Sequence, residues 1–306
     1  NSLPFTRASE EERDRIIKEI LLELPHRESK TDEGLRVVVT GKGGAGKTVL
    51  ASLLSYRFAE AGYRVLAVDE DPQMNLPMSL GLTEEEANRI VPLNRQLDYI
   101  EEKTGARPGT GWGLFIRLNP NVEDVVERFG IKITEKLTLL VMGTVVQAAV
   151  GCTCPENDLL AAVMNYISLK RNEVIVMDTE AGLEQFGRAI SRGFHHSLII
   201  SEPTLTSMSV SLRAAELSRD LKIPYVHLIV NKVKNKEDEQ KALSVLNSTG
   251  RKLFHSISFL PFSEEIYRNE PSVLPMLNYR NTEFMLKFEE AFKRIFGSWL
   301  VQNSRS

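Results

Sequence analysis

Arg36-Val-Val-Val-Thr40 runs straight into Gly41-Lys-Gly-Gly-Ala-Gly-Lys-Thr48, and a helical stretch from Lys47 to Ala61 follows. A short β-branched run, a glycine loop and a helix start stand in the order that anion binding requires. Glycines let successive backbone N–H groups turn inward around phosphate oxygens, and the N-terminus of a helix adds a favourable field. Gly43, Gly44, Ala45 and Gly46 would form the backbone cradle. Lys47 would reach the β- and γ-phosphates of a nucleotide, and Thr48 would place its hydroxyl on Mg²⁺.

Outward from this loop, β-branched runs alternate with helical stretches. Strands are predicted at Arg64 to Asp69, Leu137 to Met142, Glu173 to Asp178, Leu198 to Ser201, Tyr225 to Asn231 and Ser256 to Leu260. Helices are predicted at Pro155 to Leu169, Ser207 to Leu221, Asp238 to Ser248 and Thr282 to Leu300. Such alternation predicts an α/β fold with a doubly wound, mostly parallel sheet. Residues 83–136 break the rhythm and read as an insertion on the sheet's edge within a single domain, 35–306. Residues 1–34 read as an appended segment: Ser9 and Glu12 form a capping box, followed by an apolar stripe from Ile16 to Leu24.

The 306 residues carry 42 % hydrophobic and 26 % charged side chains with a formal net charge of -3. This balance fits a globular domain and gives no sign of a polyanion-binding surface, so nucleic acid is not an expected partner. No apolar run is long enough for a membrane span. Asn1 to Arg15 lacks the apolar core of a signal peptide, and the two cysteines are too close in sequence for an ordinary structural disulfide. A cytoplasmic location is therefore expected.

Two acidic sites follow strands. Taken alone, an Asp after a strand is a common turn or cap residue; downstream of a phosphate loop it is a candidate for metal and water positioning. Lys42, a second lysine in Lys-Gly-Gly-x-Gly-Lys-Thr, resembles the deviant Walker A group of ATPases, which includes MinD, ParA, nitrogenase iron protein and the ArsA-type enzymes. The resemblance implies that Lys42 reaches the nucleotide of a facing subunit in a homodimer. Val65-Leu-Ala-Val-Asp-Glu-Asp-Pro72 resembles the group's switch I, so that Asp71 would orient the attacking water and Asp69 a water of the Mg²⁺ shell. Val174-Ile-Val-Met-Asp-Thr-Glu-Ala-Gly182 resembles switch II, with Asp178 as the Walker B carboxylate. The same likeness implies that Asn231 reads the adenine edge and that the loop at Phe259-Leu-Pro261-Phe262 covers the base.

Gly151-Cys-Thr-Cys-Pro155 precedes a helix start, where thiolates have lowered pKa and bind metals or do redox chemistry. Two sulfurs cannot complete a four-coordinate site, whereas a two-fold dimer would bring Cys152 and Cys154 opposite their symmetry mates. Together with Val141-Met-Gly-Thr144 and Asp178-Thr-Glu-Ala-Gly-Leu-Glu184, this run resembles the CooC/AcsF family of nickel-insertion ATPases. That likeness, over roughly residues 35–265, implies ATP/ADP and Mg²⁺ as cofactors and Ni²⁺ or Zn²⁺ on the cysteines. It also implies carbon monoxide dehydrogenase or acetyl-CoA synthase as client. An iron–sulfur reductase of the nitrogenase kind and a MinD/ParA-like positioning ATPase are the rival classes. His195 and His196 read as surface or turn residues, and the apolar stripe Phe284 to Trp299 reads as core in preference to a membrane-targeting face.

Overall fold

A computed structural model of the chain describes residues 34–108, 120–143, 155–169, 173–180 and 193–303. The Ser9-capped segment, Cys152, Cys154 and the Gly182 to Glu184 part of switch II lie outside the described residues. Eight strands form one sheet in the order β3-β4-β2-β5-β1-β6-β7-β8. They are β1 (Arg36–Gly41), β2 (Val65–Asp69), β3 (Ile131–Lys132), β4 (Leu137–Val141), β5 (Val174–Asp178), β6 (His196–Ser201), β7 (Tyr225–Val233) and β8 (Ser256–Pro261). All pairings are parallel except that of β3 with β4. Every residue of β1, β2, β5 and β6 is buried. Continuous apolar runs are what parallel strands covered on both faces need, and the β-branched stretches supply them.

Alternation along these strands sends side chains to two layers. Among the described residues five long helices cover the faces: α1 (Lys47–Glu60), α2 (Pro155–Leu169), α3 (Leu205–Asp220), α4 (Lys236–Arg251) and α5 (Glu283–Asn303). Val37, Val39, Ala67 and Val176 pack with α1 and α5, while Val38, Val68, Ile175 and Met177 pack with α2. Val226, Leu228 and Val230 of β7 meet α3 and α4. The apolar stripe of α5 is consumed by this packing: Phe58 of α1 lies edge-on to Phe292 and Phe296, with ring centroids 5.0 Å away in each case. Beside it the buried Arg57 donates from Nε to Glu289 Oε1 at 2.7 Å. No described helix is long and apolar enough to cross a membrane. Within 83–136, β3 supplies the sheet's antiparallel edge, and Tyr99, Ile100, Val122 and Val125 fill the layer beneath α2.

Several boundaries move. β6 begins at His196, two residues before the expected Leu198, because His196 pairs with Tyr225 of β7. His196 is therefore a buried strand residue and not a surface or turn residue, at 5 % exposure. Its ring stacks on Tyr225 at 4.9 Å and its Nδ1 lies 3.1 Å from Nε2 of His227, whose own Nδ1 is 2.8 Å from Ser256 Oγ. Burial, with the neighbouring histidines, pushes His196 down to about 3 and His227 down to about 4.

Both rings stay neutral in the folded chain while the unfolded chain binds protons below its ordinary histidine pKa. Stability is thus complete above about pH 6.5 and is lost as pH falls from there towards 4. Urea unfolding at pH 7 and pH 5 should differ by on the order of 4 kcal/mol, about half from each ring, and His227→Gln should flatten that slope.

Candidate nucleotide-binding site

The loop after β1 is shaped by two glycines with no substitute. Gly41 has φ +136°, and a Cβ there would lie 2.1 Å from the carbonyl oxygen of Ile200 in β6. Gly46 has φ +101° and caps α1 without a side-chain hydrogen bond, so the first-turn N–H groups of α1 are left for a ligand. Gly43 and Gly44 are exposed at the rim. Lys47 is buried at 7 % exposure, and its Nζ donates to the Lys42 carbonyl at 3.4 Å. Burial lowers the Lys47 pKa, while Asp178, Asp71 and Glu180 pull it back up. The ammonium thus sits among the carboxylates, where triphosphate oxygens would compete for it.

Sheet order brings those carboxylates together. β5 lies between β1 and β2, and Asp69 and Asp178 are register partners at their strand ends. Asp178 is fully buried, and neither carboxylate oxygen has a hydrogen-bond partner among the described residues. Burial lifts its pKa to about 7; the Thr48 hydroxyl and Lys47 work against that rise. Thr48 lies alongside without satisfying either oxygen in a well-formed hydrogen bond. Asp69 is also fully buried and is raised well above the carboxylate range by burial and then by Asp178. Its oxygens are engaged, however: Oδ1 accepts from the Asp71 N–H at 3.0 Å and Oδ2 from the Leu76 N–H at 3.2 Å. Asp69 therefore pins the turn that carries Asp71. Asp71 itself borders the cleft and accepts from the Gln73 N–H at 2.8 Å. An uncompensated buried carboxylate beside a threonine hydroxyl is the oxygen donor set that a hard divalent cation such as Mg²⁺ requires.

A cleft of about 580 Å³ opens between the loop, the Asp71 to Asn75 turn, Glu180 and Glu270-Pro271. Its mouth lies at the carboxyl ends of the strands, where open α/β sheets bind ligands. Asn231 at the end of β7 is buried, and its Nδ2 donates to the Ala45 carbonyl at 2.9 Å. Pro261 closes β8 and is half-buried, followed by Phe262 at 40 % exposure. Sequence reasoning missed Lys232, Glu202 and the Glu270-Pro271 wall. A Lys after a strand and a Glu after another carry no signature of their own; the Asn231-Lys232 dipeptide was the only available hint. Among the described residues, no three His, Cys, Asp or Glu side chains are grouped to hold a metal.

Comparison with known proteins bears on this geometry. Residues 36–273 match the CobQ/CobB/MinD/ParA nucleotide binding domain. The chain is 40 % identical over 236 residues to an uncharacterized ATP-binding protein of Methanocaldococcus jannaschii, covering 77 % of this chain and 88 % of that protein. It is 35 % identical over 204 residues to the carbon monoxide dehydrogenase accessory protein CooC of Rhodospirillum rubrum, covering 67 % of this chain and 76 % of CooC. In fold it is similar to a chain of the MinC:MinD cell division protein complex of Aquifex aeolicus, with TM-score 0.59 and 21 % identity over 86 % of this chain and 96 % of that one.

In the nucleotide-free fold burial lifts the Asp178 pKa to about 7, above its unfolded value. Its unfavourable effect is absent below pH 3.8 and grows as pH rises towards 7. Asp178→Asn should therefore raise the thermal midpoint of the nucleotide-free protein by several degrees at pH 8 and by less at pH 6. The same change should lower Mg²⁺-dependent ATP turnover by about a hundredfold or more; thermal scans and phosphate release check the two halves.

Proposed function

This chain belongs to the CobQ/CobB/MinD/ParA family and is a P-loop ATPase of it, and we propose that it uses ATP turnover to deliver a divalent metal to a nickel enzyme. The observation that carries this reading is the coincidence of two features. One is the likeness to a carbon monoxide dehydrogenase accessory protein over two thirds of the chain. The other is the Cys152-Thr-Cys154 pair on a chain with only two cysteines.

In this reading the triphosphate seats on the N–H groups of residues 43–48, with Lys47 leaving the Lys42 carbonyl for the β- and γ-phosphates. Thr48 and Asp178 would hold Mg²⁺, which supplies charge neutralisation on the phosphates. Asp71 orients the attacking water, and Asp69 holds the turn that positions it or, when Mg²⁺ is bound, a water of its shell. Lys42, as in a deviant Walker A loop, reaches across a homodimer to the facing nucleotide. Asn231 reads the adenine edge from its place against the loop, and Pro261 with Phe262 covers the base. Cys152 and Cys154 of two subunits would share one Ni²⁺ or Zn²⁺ as cargo, to be passed to a carbon monoxide dehydrogenase or acetyl-CoA synthase. A membrane-positioning role of the MinD kind would call for a free amphipathic helix. The apolar face of α5 is already committed to the core.

Lys47→Ala should abolish nucleotide binding, whereas Asp71→Ala should bind ATP and lose about a hundredfold or more in turnover. Near-normal hydrolysis by Asp71→Ala would remove its role. Metal titration should give one ion per two chains, lost on either Cys152→Ser or Cys154→Ser, since each change deletes two of four ligands. Nucleotide should shift the metal affinity and metal the nucleotide affinity by the same factor. Binding of one ion per chain, indifferent to nucleotide and to both serine changes, would leave an ATPase without a delivery role.

A further inference from the structure

Outside the cleft, the backs of two loop peptides are gripped from β7. Asn231 and Lys232 occupy the register irregularity between Val230 and Val233, where β7 slips against β8, and Lys232 takes φ +59°. From there the Lys232 ammonium donates to the Gly44 carbonyl at 2.6 Å, while Asn231 holds the Ala45 carbonyl. Lys232 is itself paired with Glu202 Oε1 at 2.9 Å, at the end of β6. The Glu202 backbone N–H donates to Ser207 Oγ at 2.9 Å, which fixes the turn into α3.

A trans peptide is planar, so a carbonyl held outward directs the next residue's N–H the opposite way. Fixing the Gly44 carbonyl orients the Ala45 N–H, which closes the loop's own turn by donating to the Lys42 carbonyl at 3.2 Å, and fixing the Ala45 carbonyl orients the Gly46 N–H. Gly43, Gly44 and Gly46 would otherwise leave this stretch with unusual backbone freedom to lose on binding. We propose that Glu202 and Lys232 form a positioning pair that preorganises the Gly44 to Gly46 peptides for the nucleotide's phosphates, setting nucleotide affinity and leaving the chemical step to the cleft residues. The proposal rests on residues 41–48 being the phosphate loop. It makes a charge pair on the loop's outer side part of the binding machinery, acting through the backbone and touching no ligand.

The pair is partly exposed, with Lys232 at 39 % and Glu202 at 26 %, so neither side chain is a core element. Lys232→Met keeps the length and an equally non-glycine backbone, and Glu202→Gln keeps the shape without the charge. Titration with a fluorescent ATP analogue should show Kd raised about tenfold in Lys232→Met, the size of one charge-assisted hydrogen bond, and somewhat less in Glu202→Gln. KM for ATP should rise in parallel while kcat at saturating ATP stays within about twofold. Lys232→Arg should recover most of the affinity, and the thermal midpoints without nucleotide should stay close to that of the parent chain. Affinities within twofold of the parent in both variants would overturn the proposal. So would affinity losses that track a fall in the thermal midpoint and resist Lys232→Arg. Lys47→Ala is measured alongside. Loss of binding there with normal binding in the other two defeats the positioning pair alone, whereas retained binding in Lys47→Ala defeats the loop reading beneath it.

Discussion

Asp178 sits at the end of a central strand, fully buried, with no hydrogen-bond partner for either carboxylate oxygen among the described residues. Burying such a group is costly, and the surrounding structure makes sense as the arrangement that tolerates it. Lys47 and Thr48 come up from the glycine loop on one side, and Asp69 stands in register on the other. The Lys47 ammonium offsets only part of that burial. Burial raises the Asp178 pKa to about 7 against the pull of Thr48 and Lys47, so that the ionised carboxylate is the form left without a hydrogen-bond partner among the described residues. Two adjacent buried carboxylates, one satisfied by backbone N–H groups and the other not, divide the work: Asp69 shapes the Asp71 turn, and Asp178 waits.

The loop faces the complementary problem. Its glycines favour no single arrangement by themselves. Three strands contribute to the solution. β1 delivers the loop, and β6 crowds Gly41 so closely that a side chain is impossible there. β7 then seizes the Ala45 and Gly44 carbonyls through consecutive residues of a bulged strand end. Bulges of this kind re-aim side chains at the borders of sites, and here the re-aimed side chains hold backbone. Preorganisation moves part of the ordering cost from the moment of binding to the moment of folding.

The two ends of the sheet have opposite characters. At the carboxyl ends, polar groups are left unsatisfied around an open cleft. At the amino ends, His196, His227, Tyr225 and Ser256 close on one another with stacked rings and mutual hydrogen bonds. Acid therefore attacks the closed end first, through histidines that must charge, while rising pH strains the open end through Asp178.

The glycine turn into the helix at Lys47 was legible because local spacing carries it: glycines for the turn, a lysine and a threonine at the helix start. The strands were legible because a parallel sheet covered on both faces demands continuous β-branched runs, and Arg36 to Thr40 and Val174 to Asp178 read that way without any knowledge of their neighbours. Asp69 and Asp178 were legible as strand-end acids. That they stand side by side was decided only by the insertion of β5 between β1 and β2, a non-local pairing that no run of residues encodes. The same holds for Asn231, whose amide meets a carbonyl 186 positions away, and for Lys232, whose partner carbonyl is 188 away. His196 was misread because a polar ring beside a glycine and a second histidine looks like a turn; strand pairing with Tyr225 and the approach of Phe296 made it core. Sequence determines what each segment prefers to be, since helix and strand periods are local. Which side chains then share a buried volume depends on how those segments pack, and packing is settled by the chain as a whole.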